Sequence, residues 1–207
     1  MVEQFDDKEY VNDLLRKDGR FTMPKGWTVE SLMDLDVLTG GRELVFPVVG
    51  KPIRGRGSYG VKVCHDAEEL ENHVKTLLKD SPRVMLEEYL TGEEATITVF
   101  PPSVEEGRGD YWASPTVTRF NHKDGVAPFN SIVAVTSNSR VITLEEFEKD
   151  VRYQDAARQC EEVAKLLKVT SPIRVDIRRY KEEGEFALFD INMKPVSNIR
   201  PCFNGVR

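Results

Sequence analysis

The segment LVFPVVGKPIRGRGSYGVKVC, residues 44–64, decides the predicted fold because it joins two strands through a glycine-rich loop. Apolar residues dominate positions 44–53, and Val61 and Val63 alternate with Lys62, as in strands. The loop at residues 54–60 contains three glycines, which allow backbone N–H groups to come close to a phosphate. Lys51 lies just before the loop and adds a positive charge. The segment therefore predicts a phosphate-binding hairpin.

The motif GRGSYG, residues 55–60, has the form G-x-G-x-x-G, which several classes of protein share. A dinucleotide-binding turn would lead into a helix, whereas the pattern after Gly60 predicts a strand. A Walker A loop would end in Gly-Lys-Ser/Thr, but Val61 follows Gly60. A protein kinase would carry its lysine on the strand after the loop, together with HRD and DFG motifs that this sequence lacks. A plain surface hairpin stays open at this point.

Composition narrows the functional classes. The chain has 207 residues and a formal net charge of -6, which argues against a nucleic-acid partner. No apolar run approaches the ~20 residues of a membrane span, and the acidic start MVEQFDDKEY does not resemble a signal peptide. We expect a cytoplasmic protein with no membrane partner. Its three cysteines, Cys64, Cys160 and Cys202, are far apart and are expected to be reduced thiols.

Periodicity and turn residues outline the remaining elements. Capping residues and helical spacing predict helices that begin at Asp6 or Asp7, at Val29, at Asp66 and at Thr143, the last continuing through Leu167. Strand patterns occur at residues 84–90, 94–100, 111–120, 130–136, 173–178 and 189–192. The motif NHKDG, residues 121–125, is predicted to be an exposed loop. The motif LEEYLTGEE, residues 86–94, has acids on both sides of a turn, which alone indicates only a solvated edge.

The hairpin SPIRVDIRRYKEEGEFALFDIN, residues 171–192, carries the most informative chemistry. If its turn is centred on Glu183, position 176 faces 190 and position 174 faces 192. The side chains of Arg174, Asp176, Asp190 and Asn192 then project from one face, because strand side chains alternate with a period of two. Two carboxylates and an amide oxygen together suit Mg²⁺, and Arg174 could neutralise developing charge. The alternative is a solvated polar face on which Asp176 pairs with Arg174 or Arg178.

Together these motifs resemble the ATP-grasp superfamily. The order is a lysine before a glycine-rich hairpin, then E-E-Y-L-x-G-x-E, then R-x-D, and then D-x-N before a proline. Within the superfamily, the chain is similar to the carboxylate-amine ligase branch of D-alanine-D-alanine ligases and carbamoyl-phosphate synthetases. The resemblance implies an α+β fold, in which two lobes with antiparallel sheets hold ATP between them. The smaller lobe would cover about residues 20–90 and the larger about residues 91–200. The usual N-terminal substrate domain is expected to be absent.

The resemblance also implies roles for individual residues. Lys51 would contact the α- and β-phosphates, and the mobile loop would close over the triphosphate through Gly55, Gly57, Ser58 and Gly60. The adenine edge would be formed, largely through the backbone, by Glu87, Glu88, Tyr89 and Leu90, with Glu94 on the ribose hydroxyls. Two Mg²⁺ ions, or Mn²⁺ in their place, would be held by Asp176, Asp190 and Asn192. Arg174 would stabilise the reacting acyl group. Asp190 stands where glutamate is usual.

The implied reaction is the ATP-dependent formation of an amide or peptide bond. A carboxylate substrate would attack the γ-phosphate, and an amine substrate would displace phosphate from the acyl-phosphate. The glycine loop and the NHKDG loop, which carries Lys123, are candidate lids that would exclude water. Two alternatives remain, which are an ATP-binding module that needs a partner domain or lacks turnover, and an ATP-grasp kinase. The chain could also act as a homodimer.

Overall fold

The computed structural model describes residues 7–55, 58–103, 107–127 and 137–193, and within these ranges the chain forms two antiparallel sheets and five helices. The helices are α1 (Lys8–Asp18), α2 (Leu32–Gly40), α3 (Ala67–Leu77), α4 (Leu144–Lys149) and α5 (Val151–Leu166). The strands are β1 (Gly26–Val29), β2 (Val48–Pro52), β3 (Lys62–Cys64), β4 (Val84–Glu88), β5 (Glu94–Phe100), β6 (Trp112–Ala113), β7 (Val117–Arg119), β8 (Ser139–Val141), β9 (Ile173–Arg179) and β10 (Phe186–Asn192). The α+β class predicted from the sequence is confirmed.

The smaller sheet has four strands in the order β1-β4-β2-β3. Leu35 of α2 and Leu70 and Val74 of α3 pack in one core with Val48 of β2 and Leu86 of β4. Lys51 lies within β2, beside the centre of this sheet, and β2 pairs with both β3 and β4. The sheet therefore fixes the backbone of Lys51 on both sides.

The larger sheet has six strands, with the order β10-β9-β5-β7-β8 and with β6 paired to β5. Ile97 of β5, Val175 of β9 and Leu188 of β10 project from one face into a core with Val163 of α5. Leu15 of α1 packs in the same core, so the first helix lies against the larger sheet. The opposite face of β5, β9 and β10 remains available for a site.

Capping residues define the ends of the helices. Asp7 accepts a hydrogen bond from Tyr10 N and begins α1, and Gly19, with φ of 77°, ends it as predicted. Thr143 and Glu146 form the predicted capping box of α4. The helical region predicted from Thr143 through Leu167 is present but is divided into two helices, because Asp150 leaves helical geometry and caps α5 by accepting from Arg152 N.

Three other predicted elements differ from the structure. The helix predicted from Val29 begins only at Leu32, because Val29 ends β1 and Ser31 caps α2 together with Asp34. The strand predicted at residues 111–120 is two short strands, β6 and β7, with Pro115 between them. The strand predicted at residues 130–136 lies outside the described residues. In the described part of the chain, no helix is both long and apolar enough to cross a membrane.

Candidate functional site

A cleft between the two sheets collects almost all of the predicted site residues. Its empty volume is about 1170 Å³, part of which is open to solvent. The predicted residues that line it are Lys51, Gly55, Ser58, Glu87, Glu88, Tyr89, Leu90, Glu94, Arg174, Asp176, Asp190 and Asn192. Gly60 does not line the cleft, and its carbonyl oxygen lies 3.1 Å from His73 Nε2. Gly57 lies outside the described residues.

The predicted register of the β9–β10 hairpin is observed at the four polar residues of the site. Asp190 pairs with Asp176, and Asn192 pairs with Arg174. The register shifts between Leu188 and Asp190, because Phe189 is an extra residue in β10. Simple alternation predicted that Phe189 would lie in the apolar core. In the structure Phe189 instead lines the cleft beside Asp190.

Three rows of polar side chains run across the cleft face of the larger sheet. The first row is Arg119, Glu94 and Arg178, the second is Thr96, Asp176 and Asp190, and the third is Thr98, Arg174 and Asn192. Each row takes one residue from each of three neighbouring strands. Successive rows are about 7 Å apart, because each strand rises about 3.4 Å per residue.

The two aspartates of the second row share one network of hydrogen bonds. Arg174 donates to Asp176 through Nε at 3.0 Å and through Nη2 at 2.9 Å, and Thr96 Oγ1 donates at 2.8 Å. Asn192 Nδ2 bridges the pair, at 3.1 Å from Asp176 Oδ2 and 3.3 Å from Asp190 Oδ2. Lys8 Nζ donates to Asp190 from the first turn of α1. Each carboxylate therefore has its own cation.

The pKa values of the two aspartates are shifted in opposite directions. Burial raises the pKa of Asp176, and the guanidinium of Arg174 offsets only part of this rise, while the charge of Asp190 adds to it. Burial also acts on Asp190, but the charges of Lys8 and Lys51 outweigh it and lower the pKa of Asp190. Burial therefore disfavours the charged form of Asp176 by more than Arg174 offsets.

A divalent cation would stabilise the charged form of both buried carboxylates. Asp176 and Asp190 offer carboxylate oxygens, which Mg²⁺ prefers, and Asn192 would add its amide oxygen if the amide group turned, because its Nδ2 now faces the pair. In the ranges that the structure describes, no group of three or more His, Cys, Asp or Glu residues could hold a metal ion. A set of two carboxylates suits Mg²⁺ that also takes oxygens from a phosphate and from water.

Lys51 is held opposite these aspartates by a buried ion pair. Its side chain is 6 % exposed, and Nζ lies 2.6 Å from Glu87 Oε2 and 3.2 Å from the carbonyl oxygen of Phe189. Asn12 Nδ2 donates to the other oxygen of Glu87 at 3.0 Å. The side chain of Glu87 thus fixes the ammonium group of Lys51 in the cleft.

The link between the sheets forms one end of the cleft. Glu88 ends β4, where its backbone N donates to Lys25 O at 2.9 Å, and Leu90 is buried. The hydroxyl group of Tyr89 accepts from Arg178 Nη2 at 3.2 Å, and the Arg178 guanidinium lies 4.9 Å from the ring centre. Glu94 begins β5, and its Oε2 lies 2.9 Å from His122 Nε2.

Sequence reasoning missed four residues of this site, which are Lys8, His122, Arg178 and Phe189. Lys8 and His122 reach the cleft through contacts between distant parts of the chain, which no local pattern indicates. The position of Arg178 could have been predicted from the sequence, because alternate residues of a strand share a face and Arg178 alternates with Arg174 and Asp176. It was predicted only as a partner of Asp176. The alternative pairing of Asp176 with Arg174 is present in the structure.

Comparisons with known proteins agree with this geometry. The sequence profile of the family described as "D-ala D-ala ligase C-terminus" matches residues 33–197. A D-alanine--D-alanine ligase of Aquifex aeolicus is 29% identical over 151 residues, which are 72% of this chain and 46% of that protein. The large chain of a carbamoyl phosphate synthase of Clostridium beijerinckii is 31% identical over 98 residues, which are 46% of this chain and 9% of that protein.

Solved structures show the same fold. The crystal structure of D-alanine--D-alanine ligase from Bacillus anthracis complexed with ATP has a TM-score of 0.67 and 22% identity, and the match covers 92% of this chain and 54% of that one. The chain thus spans about half the length of the ligases that it matches.

Proposed function

Because the chain belongs to the D-ala D-ala ligase C-terminus family and has the ATP-grasp fold that its sequence predicts, we propose that it is the ATP-using part of a carboxylate-amine ligase. The observation that carries the proposal is the pair of Asp176 and Asp190, which lies in one cleft with Lys8 and Lys51. Two carboxylates and two ammonium groups in one partly enclosed cleft suit a metal-bound polyphosphate.

The nucleotide would lie along the three polar rows. Its adenine would contact the backbone of residues 87–90, and its ribose would contact Glu94 in the first row. Its phosphates would bind Lys8 and Lys51, and the loop that contains Gly55, Gly57, Ser58 and Gly60 would close over them. Division of the chain into a smaller and a larger lobe at about residue 90 is part of the same proposal.

Asp176, Asp190 and Asn192 would hold the Mg²⁺ ions of the nucleotide, with Mn²⁺ as a substitute. Bound there, the metal would offset charge on the transferring phosphoryl group. Lys8 donates to Asp190 in the structure, and it would move its hydrogen bond to a phosphate oxygen when a cation takes its place. Arg174 lies in the third row, next to the metal ligands, and would stabilise the oxygen charge of an acyl-phosphate and of the tetrahedral species that follows.

The substrates would be a small carboxylate and an amine that join in an amide bond through the acyl-phosphate. The matched relatives are named for D-alanine, which makes D-alanine the first substrate to test. Since the chain spans about half of those relatives, we propose that a partner domain or a second copy completes the substrate site. The proposed compartment is the cytoplasm.

Two other functions would use the same cleft. An ATP-binding module would bind Mg-ATP and release no phosphate with any substrate. An ATP-grasp kinase would transfer phosphate to a hydroxyl group. The relation of Arg174 to the two aspartates favours the ligase, because an arginine next to the phosphates suits an anionic acyl group.

Thermal unfolding with Mg-ATP tests the nucleotide site. At a concentration of 100 times the Kd, binding adds about 2.7 kcal/mol, which raises the Tm by roughly 5–10 °C for a chain of this size. The Asp176→Asn variant should lose most of this ligand-induced shift. Absence of any shift in the unsubstituted protein would refute the nucleotide site.

Phosphate release separates the three functions. The protein should be incubated with Mg-ATP and a panel of amino acids, other carboxylates, amines and hydroxy compounds. The ligase predicts release only when a carboxylate and an amine are both present. Release with hydroxy compounds would indicate the kinase, and binding without release under every condition would indicate the module.

A further inference from the structure

We propose that His122 is a specificity-determining residue that positions Glu94, so that the cleft distinguishes ribonucleotides from deoxyribonucleotides. This inference rests on the proposed nucleotide site and assigns a role to the NHKDG loop, which the sequence indicated only as a candidate lid. His122 itself would not touch the nucleotide. It would act through the orientation of the Glu94 carboxylate.

Both contacts that hold the Glu94 carboxylate go to the same oxygen. His122 Nε2 lies 2.9 Å from Oε2, and Arg178 Nη1 lies 3.6 Å from it. Because a carboxylate accepts hydrogen bonds, Nε2 of His122 carries the hydrogen. Within the described residues, Oε1 of Glu94 accepts no hydrogen bond, although Glu94 lines the cleft. One oxygen is therefore held and the other is free for a ligand hydroxyl group.

His122 is itself held, because the loop that carries it is fastened at several points. Arg178 Nη1 donates to Gly125 O at 2.8 Å, and Arg178 Nη2 bonds to the Tyr89 hydroxyl group. Asn121 Nδ2 donates to Ser137 O at 2.8 Å, and Lys123 and Val126 exchange two backbone hydrogen bonds. The loop is thus a fixed wall at this end of the cleft.

The place of Glu94 in the sheet explains why such support is needed. Its backbone is fixed by β7 on one side and by β9 on the other, which sets the direction of the side chain but leaves its outer torsions free. Glu94 stands between Arg119 and Arg178, and without His122 its carboxylate could turn fully toward a guanidinium group. With His122 in place, Oε1 remains directed into the cleft. A ribose hydroxyl group can then donate to a fixed, charged acceptor.

The test compares the affinities of ATP, 2′-deoxy-ATP and 3′-deoxy-ATP, measured by calorimetry in the presence of Mg²⁺. A hydrogen bond to a charged acceptor is worth a factor of about ten or more, so the unsubstituted protein should bind at least one deoxy analogue about tenfold more weakly than ATP. The His122→Leu variant should bind ATP about as weakly as that analogue, and its affinity for the analogue should not change. A role in folding alone would weaken all three nucleotides equally.

Further variants keep the test decisive. Glutamine can place its Nε2 donor near the position of the histidine Nε2, whereas asparagine is too short. His122→Gln should therefore retain the preference for ATP, and His122→Asn should lose it, even if His122→Leu does not fold. Asp124→Asn is the matched control, because Asp124 is exposed on the same loop with φ of 50°, which asparagine tolerates.

The outcomes distinguish this inference from the proposed function. Failure of every variant and of the unsubstituted protein to bind ATP would overturn the nucleotide site itself. Binding of ATP with the same preference in His122→Leu and His122→Asn as in the unsubstituted protein would overturn the role of His122 alone.

Discussion

Replacement of Glu87 by glutamine should destabilise the protein strongly, because it removes the counter-charge of a buried ammonium group. Lys51 Nζ lies 2.6 Å from Glu87 Oε2, and the two side chains are 6% and 4% exposed. Breaking a buried ion pair by removing one partner costs about 3–5 kcal/mol. Lys51 keeps its bond to the carbonyl oxygen of Phe189, so we expect the lower value, about 3 kcal/mol.

Urea unfolding at pH 7 measures this cost, and a double-mutant cycle identifies its source. In thermal unfolding, which provides a second measure, the Tm of Glu87→Gln should fall by roughly 6–12 °C. Lys51→Met should also destabilise the protein, because it leaves the Glu87 carboxylate buried. The double variant should be less destabilised than the sum of the two single variants by about 2 kcal/mol or more, because the buried ammonium group and the buried carboxylate are both removed and only the partly exposed Arg16, 3.6 Å from Glu87, loses a counter-charge.

Glu88→Gln is the matched control on the same strand. Glu88 is partly exposed and accepts only a 3.3 Å hydrogen bond from Lys25 N, so its replacement should change stability by no more than about 0.5 kcal/mol. Equal losses in Glu87→Gln and Glu88→Gln would refute the argument. Additive losses in the double variant would show that the two side chains are not coupled.

Three further predictions concern other parts of the fold. The Arg140 hydrogen bond lowers the pKa of Glu146 from its usual 4.5 to about 2, so the stability difference between the protein and Glu146→Gln should be full above about pH 4.5 and should vanish as the pH falls toward 2, as followed by urea midpoints. Burial raises the pKa of Cys64 to about 11 and also that of Cys160, so iodoacetamide at pH 8 should label both only after unfolding, by peptide mass spectrometry; labelling of the folded protein would contradict their burial. Gly125→Ala should destabilise the protein more than the control Gly107→Ala, by calorimetry, because both have positive φ but only at Gly125 would a new Cβ lie 2.8 Å from the Tyr89 hydroxyl oxygen; equal losses would contradict the contact.

The sequence could predict the hairpin of the site because antiparallel pairing is symmetric about a turn. A turn centred on Glu183 was enough to place Asp190 opposite Asp176 and Asn192 opposite Arg174, and the structure has these pairs. The extra residue Phe189 has no local sequence signal. Phe189 changes the register only from Leu188 toward the turn, so the predicted pairing of the polar residues is unaffected.

Other features depend on the folded chain and could not be predicted. Lys8 reaches Asp190 across 182 positions of sequence, and only the packing of α1 against the larger sheet brings the two together. His122 reaches Glu94 because the loop that carries it is fastened by Arg178. The break at Asp150 was missed because the apolar spacing of α4 and α5 looks continuous. In each case a tertiary contact or a backbone angle decided the outcome.

The three polar rows of the larger sheet have a consequence for the length of a ligand. Their separation is a property of the backbone, since every second residue of a strand advances about 7 Å. From Glu94 in the first row to Arg174 in the third, the distance along the strands is therefore about 14 Å, whatever side chains stand between. The guanidinium of Arg174 is bonded to Asp176 in the second row, so the groups that would meet a ligand lie closer together than the two backbone positions. The backbone thus sets the scale of the ligand's length, and the lean of Arg174 shortens it.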